Sequence, residues 1–390
     1  MEETRFAETA GTTRLADSPE ETRFADIGKV EAIRRLYAES PFKQPAVARE
    51  ETPSKGGMLT HASVLLLEGI DFDLVYFPLK HLGYKSVVAV SGELLAALAH
   101  PRTLSVVLGI SAKLDFAQIR QVWSGIVAGA REFGYKAVDL DLKPSRNGLT
   151  VSVSAVGLTD LLTERRRPAP KSKDLLCVSG NLGAAYLGLR LLEAEKKIFD
   201  ASGAPSAAPG VASAAPGAAS NAPGVASAAP AGGTASAASA GGAPRLETYR
   251  MIVGAYLKPE LPAGVVGNLE EAEIYPTAGC LITHGLADAV KRLCQETGLG
   301  AKIYADRIPF EGNSFQLGRE LDVDPIAAAM NGGDDFKLLF AVPILQLEKF
   351  RRDFQTFDII GHLADPSVGQ TLVLPEGAEL PLRAPGWPED

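Results

Sequence analysis

Val151, Val153 and Ala155 alternate with Ser152 and Ser154, a period of two that predicts a half-buried strand over Leu149–Val156. Apolar runs at Ser63–Leu67, Ser86–Val90 and Thr103–Leu108 read as further strands. A different period governs Phe116, Ile119, Trp123, Ile126, Val127 and Ala130, which fall on one face of a helix near Asp115–Phe133. Asp174–Val178 reads as a buried strand. The turn Gly180-Asn181-Leu182-Gly183 then opens an amphipathic helix reaching about Phe199. Further on, the pattern predicts helices near Leu246–Tyr256 and Leu286–Glu296, and strands near Lys302–Tyr304, Lys337–Val342 and Asp358–Leu363. This is an α/β chain of mixed order, too irregular in its alternation for a TIM barrel or a simple doubly wound sheet.

Two stretches carry no such pattern. Glu2-Glu3-Thr4-Arg5-Phe6-Ala7 recurs as Glu20-Glu21-Thr22-Arg23-Phe24-Ala25, so residues 1–19 read as a duplicated, mobile extension, with a short helix near Val30–Tyr37. From Ala201 to Pro244 the chain holds only Ala, Gly, Ser, Pro, Val, Thr and Asn, and Ala208–Pro216 returns intact at Ala222–Pro230. Side chains this small bury too little surface to offset the entropy of ordering, so 201–244 is expected to be a disordered insert.

The 390 residues suggest about two domains. With 46% hydrophobic and 22% charged residues the chain is expected to fold rather than stay disordered. Lys and Arg number 39 against 47 Asp and Glu, a net charge of −8, which argues against nucleic acid as a partner because phosphate backbones are held by Lys and Arg. No apolar run is long enough for a membrane span, and no apolar segment marks the N-terminus as a signal. Cys177, Cys280 and Cys294 are odd in number and lack CxxC spacing, which fits a reducing cytoplasm better than a disulfide framework or a zinc site.

The sequence has no GxxxxGK[ST] loop, no GxGxxG after a strand, no HExxH and no GxSxG, and its five histidines are scattered. Two glycine turns remain. Gly180–Gly183 lies between a strand and a helix, where backbone N–H groups and the helix dipole favour an anion. Asn331-Gly332-Gly333-Asp334-Asp335 sets two carboxylates side by side just before a strand, either as solvated turn acids or as a place for Mg²⁺.

Several segments, in order and spacing, resemble thiamine-monophosphate kinase, of the aminoimidazole ribonucleotide synthetase-like superfamily. They are Leu65–Asp73, Pro78–Lys85, Cys177–Gly188, Leu257–Pro259, Asn331–Phe340, Gly361–Leu363 and Gly386-Trp387. The likeness covers about residues 20–200 and 245–390. It implies an N-terminal ATP-binding, dimerising α/β domain at 20–160 and a C-terminal α/β domain formed by 161–200 and 245–390. It also implies ATP and thiamine monophosphate as ligands, Mg²⁺ held by Asp side chains, a cytoplasmic homodimer, and transfer of the γ-phosphoryl group of ATP to make thiamine diphosphate. Such a transfer joins two anionic groups, so it depends on cations that neutralise and align both.

The acids that resemblance calls for are largely gone. No Asp lies between Asp26 and Asp71. The family's Thr-Asp before the Glu-Gly turn is Ser63-Val64, its Asn-Leu-Ser-Asp is Val90-Ser91-Gly92-Glu93, and its Gly-Gly-Asp-Thr-Thr is Asp139-Leu140-Asp141-Leu142-Lys143. Its Asp-Ile-Ser-Asp-Gly is Leu281-Ile282-Thr283-His284-Gly285. The Gly-Gly-Glu-Asp-Tyr-Glu turn alone survives nearly whole, as Gly332-Gly333-Asp334-Asp335-Phe336-Lys337. By resemblance, Gly180, Gly183, Glu93 and Asp141 are the remaining nucleotide or phosphate contacts, Asp334 and Asp335 the remaining metal ligands, and Trp387 packs at the substrate end. No catalytic residue is assigned. Impaired or lost catalysis is expected. The alternative expectation is a pseudoenzyme binding a nucleotide, a thiamine compound or a protein partner.

Overall fold

The computed structural model describes residues 48–52, 57–201 and 242–384. The duplicated extension at 1–19, the helix near Val30–Tyr37, Trp387 and all of the insert between 202 and 241 lie outside the described residues. The ends of the insert differ from expectation: Ala201 closes one helix, and Gly242–Pro244 begin another.

The first half of the chain builds one sheet. Its strands are β1 (Ala48–Thr52), β2 (Gly57–Leu67), β3 (His100–Ser111), β4 (Ala137–Ser145) and β5 (Thr150–Asp160), in the order β1-β2-β5-β3-β4. Only β3 and β4 run parallel. The predicted alternation in β5 holds: Val151, Val153 and Ala155 are buried under two helices, α1 (Leu79–Ala96) and α2 (Phe116–Glu132). Asp115 begins α2 with a capping box, its carboxylate accepting the Gln118 N–H at 2.8 Å while Gln118 accepts the Asp115 N–H at 2.9 Å. The two helices touch backbone to backbone. A Cβ on Gly125 would lie 1.9 Å from the Lys80 carbonyl oxygen, so only glycine fits there. Two acids of the kinase-like segment are used locally: Glu68 accepts the Leu149 N–H at 2.6 Å and Asp71 the Leu67 N–H at 2.7 Å.

The expected strand Ser86–Val90 is instead the middle of α1. Every residue from Leu82 to Gly92 is buried, because α1 lies between the first sheet and the second. A helix enclosed on all sides has no polar face, and its short β-branched run is indistinguishable from a strand by period alone.

After α3 (Leu161–Arg166) the chain forms a seven-stranded sheet. Its strands are β6 (Leu175–Val178), β7 (Ala278–Ile282), β8 (Gly300–Tyr304), β9 (Lys337–Val342), β10 (Asp358–Ala364), β11 (Gln370–Val373) and β12 (Glu379–Pro381). The order is β12-β11-β8-β10-β6-β9-β7, with only β11 and β8 parallel. Its helices are α4 (Ala184–Ala201), α5 (Gly242–Thr248), α6 (Arg250–Leu257), α7 (Val265–Glu271), α8 (Leu286–Thr297), α9 (Ser314–Leu321), α10 (Pro325–Asn331) and α11 (Leu347–Asp353). The single helix expected over Leu246–Tyr256 is two, α5 and α6, broken at Tyr249.

One core cluster joins both sheets. It includes Val87, Leu94 and Leu95 of α1, Val151 of β5, and Leu281, Leu338 and Phe340 of the second sheet. A second cluster, with Ile303, Leu286, Val290 and Leu293, fills the space under α8. Cys177, Cys280 and Cys294 are free and buried, and burial pushes the Cys294 thiol up to about 12. Among the described residues no helix is long and apolar enough to cross a membrane.

Candidate functional site

Strands β6 and β7 flank β9, and both are antiparallel to it. The C-terminal ends of β6 and β7 and the start of β9 therefore lie at one end of the sheet. That topology gathers three turns: Ser179–Gly183 after β6, Thr283–Gly285 after β7, and Gly332–Phe336 before β9. The Asp334 N–H donates to the Thr283 carbonyl at 2.8 Å, and the Gly183 N–H donates to Asp335 Oδ2 at 2.8 Å. The Gly332–Phe336 turn runs in the left-handed region at Gly333 (φ 80°), Asp334 (φ 63°) and Phe336 (φ 47°). Two non-glycine residues held there store strain, a feature that concentrates at functional sites.

That turn sends its two carboxylates in different directions. Asp334 points at α1, where Lys85 Nζ donates to its Oδ2 at 2.9 Å. Lys85 is 1% exposed and its ammonium sits among three rings, 4.8 Å from the centre of Phe77, 5.1 Å from Tyr256 and 5.5 Å from Phe336. Asp335 points at the start of α4 and accepts the N–H of Gly183 at 2.8 Å and of Ala185 at 3.3 Å. Burial raises its carboxyl to about 7, against the lowering effect of those two N–H groups and of Lys337. Lys337 in turn donates to the Glu260 carbonyl at 3.0 Å, and burial lowers its ammonium below the usual range. A Cβ on Gly180 would be in ordinary contact with this side chain, 3.7 Å from Lys337 Nζ, so it is the backbone, at φ 135°, that favours glycine there.

Glu93 lies further along α1 and meets a different cation. Arg292 of α8 reaches within 3.9 Å of it, donates to Asp288 at 2.9 Å and to the Leu281 carbonyl at 2.6 Å. The Leu281 side chain is fully buried against α1, and a Cβ on Gly92 would come within 2.5 Å of it. His284 is exposed beside it, its Nδ1 2.9 Å from the Thr283 hydroxyl. Asp141 is far from these groups in the fold. It lies on the exposed edge strand β4 with Lys143 Nζ 3.0 Å away, and that hydrogen bond, with the Leu142 N–H, lowers its carboxyl.

The structure thus brings Gly180, Gly183, Asp334 and Asp335 together, pairs Asp141 with Lys143, and sets Glu93 near Arg292, which bonds more closely to Asp288. Mg²⁺ needs a near-octahedral set of oxygen ligands. Here one oxygen of Asp334 accepts from Lys85 and both oxygens of Asp335 accept backbone N–H groups. Among the described residues no three His, Cys, Asp or Glu side chains converge as a metal site. Among the described residues, the set gathered here does not fit the ion. Sequence reasoning missed Lys85, Lys337 and Arg292. Lys85 had a signal, as the lone charge between Leu82 and Val90.

No protein-family model matches the chain. In sequence it is similar to the thiamine-monophosphate kinase of Synechococcus elongatus, 25% identical over 82% of this chain and 83% of that one. It is also similar to the thiamine-monophosphate kinase of Aquifex aeolicus, 21% identical over 82% of this chain and 86% of that one. In structure it resembles AaThiL complexed with AMPPCP and TMP, with a TM-score of 0.68 at 20% identity over 94% of this chain and 98% of the other. It also resembles the hydrogenase maturation protein HypE of E. coli, with a TM-score of 0.56 at 15% identity over 92% of this chain and 98% of the other. The chain is thus similar over most of its length to thiamine-monophosphate kinases and has the aminoimidazole ribonucleotide synthetase-like fold.

Proposed function

We propose that the chain is a thiamine-monophosphate kinase-like protein of thiamine diphosphate biosynthesis that retains ligand binding and has lost most or all of its phosphoryl transfer. The observation that carries the binding half is the likeness, over nearly the whole chain, to a protein solved with AMPPCP and TMP. ATP and thiamine monophosphate are accordingly the proposed ligands. Gly180 and Gly183 are read as the phosphate-side turn, with the Lys337 ammonium beside Gly180 as its charge. In the ancestral reaction a phosphate oxygen of thiamine monophosphate attacks the γ-phosphorus of ATP, and ADP leaves with the electrons of the broken bond. Two anions approach one another in that step, which a site without aligned cations does not favour.

The loss of catalysis is supported by Val64, Leu281 and His284 at positions where the resemblance expects acids, and by the engagement of Asp334, Asp335 and Glu93 with the chain's own groups. The same observations favour a non-catalytic binder of a nucleotide or thiamine compound over an active kinase. A homodimer through the first sheet is also proposed. The row Leu65, Ser152, Val107 and Asp141 crosses the sheet's outer face by its register, and Leu65 and Val107 are exposed there. The test is twofold. Calorimetric titration with thiamine monophosphate and with ATP is expected to show saturable binding, and an assay for thiamine diphosphate in Mg²⁺ is expected to show little or no product. Absence of binding by a folded protein contradicts the first half, and Mg²⁺-dependent turnover contradicts the second.

A further inference from the structure

We infer that Lys85 and Arg292 act as resident cations in place of bound metal, so that the joint between α1 and the second sheet closes on the protein's own charge and forms without Mg²⁺. The inference rests on the kinase-like reading only in the choice of Mg²⁺ as the ion replaced.

Gly92 follows Lys85 by seven positions, about two turns, so both lie on one face of α1, with Glu93 at its border. That face meets the second sheet at two levels. At the first, Lys85 holds Asp334 at 2.9 Å inside a cage of Phe77, Tyr256 and Phe336. Rings stabilise an ammonium through their faces, and those of Phe77 and Phe336 carry no oxygen to ligate a hard divalent ion. The backbone that carries Asp334 is held by its N–H on the Thr283 carbonyl and is left-handed. At the second level, Arg292 lies between Asp288 at 2.9 Å and Glu93 at 3.9 Å, with its Nη2 donating to the Leu281 carbonyl. Leu281 seats its side chain on Gly92 and seals this level with hydrocarbon. Each of the three interface acids, Asp334, Asp288 and Glu93, therefore has a cation of the fold beside it, with Arg292 shared by the last two.

The experiment is thermal melting of the full chain in EDTA and in millimolar MgCl₂, with calorimetric titration of MgCl₂ alone, for wild type and Asp334→Asn. Expected are an unchanged wild-type Tm between the two buffers, no saturable Mg²⁺ uptake, and an Asp334→Asn loss of at least ~2 °C of the same size in both. Saturable uptake by wild type that Asp334→Asn removes would overturn the inference, as would an Asp334→Asn loss seen only with Mg²⁺. Neither readout uses thiamine monophosphate or ATP, so failure to bind those ligands would sink the proposed function and leave this result standing.

Discussion

Two lysine–aspartate pairs in this molecule have almost the same length, 2.9 Å for Lys85 with Asp334 and 3.0 Å for Lys143 with Asp141. Their settings are opposite. Lys85 is 1% exposed and joins residues 249 positions apart, whereas Lys143 and Asp141 are 64% and 53% exposed on one edge strand. Distance alone would rank them equal. In water the second pair gains little, because the solvent screens it and two mobile side chains must be held still. In the interior the first pair cannot be broken cheaply, because loss of Asp334 leaves the Lys85 ammonium charged where water does not reach it. The contrast separates a surface pair from an element of the joint between the two sheets, although resemblance had proposed both acids for the site, Asp141 as a phosphate contact and Asp334 as a metal ligand.

That contrast can be broken in graded steps. Arg292→Met should cost most, about 4 kcal/mol in urea unfolding, because it strands both Asp288 and Glu93 at the interface. Lys85→Met should cost about 3 kcal/mol by the same measurement, since Asp334 is partly reached by solvent. Asp335 offers a test by pH. Its carboxyl is raised in the folded protein to about 7, so the stability it contributes is fully present below the ordinary carboxylate value and is lost as pH rises toward 7. Unfolding free energy should therefore fall between about pH 4 and pH 7, by up to about 4 kcal/mol, and Asp335→Asn should flatten that slope. Gly92→Ala should cost about 1.5 kcal/mol by driving a methyl group into Leu281, a loss that Leu281→Ala in the same chain should relieve. Lys143→Ala should leave the Tm unchanged.

Much of the scaffold was legible because its signals are local. The alternation of β5 follows from one buried face, the Asp115–Phe133 helix from its apolar stripe and its capping Asp, and the turn at Gly180 from the glycines themselves. Ser86–Val90 was not legible, since burial on every side erases the period that would tell helix from strand. The site was legible only in part. Glycine turns and paired acids are visible in sequence, but what occupies each acid is decided by topology. Lys85 meets Asp334, and Glu93 meets Arg292, only after two sheets have folded and α1 lies between them.

The most direct test is a double-mutant cycle on Lys85→Met and Asp334→Asn, set beside one on Lys143→Ala and Asp141→Asn, both read by urea unfolding. The account predicts a coupling of at least ~1.5 kcal/mol for the buried pair and none measurable for the exposed pair. Equal couplings in the two cycles would contradict it, and would return Lys85 to the status of one more charged residue on a helix.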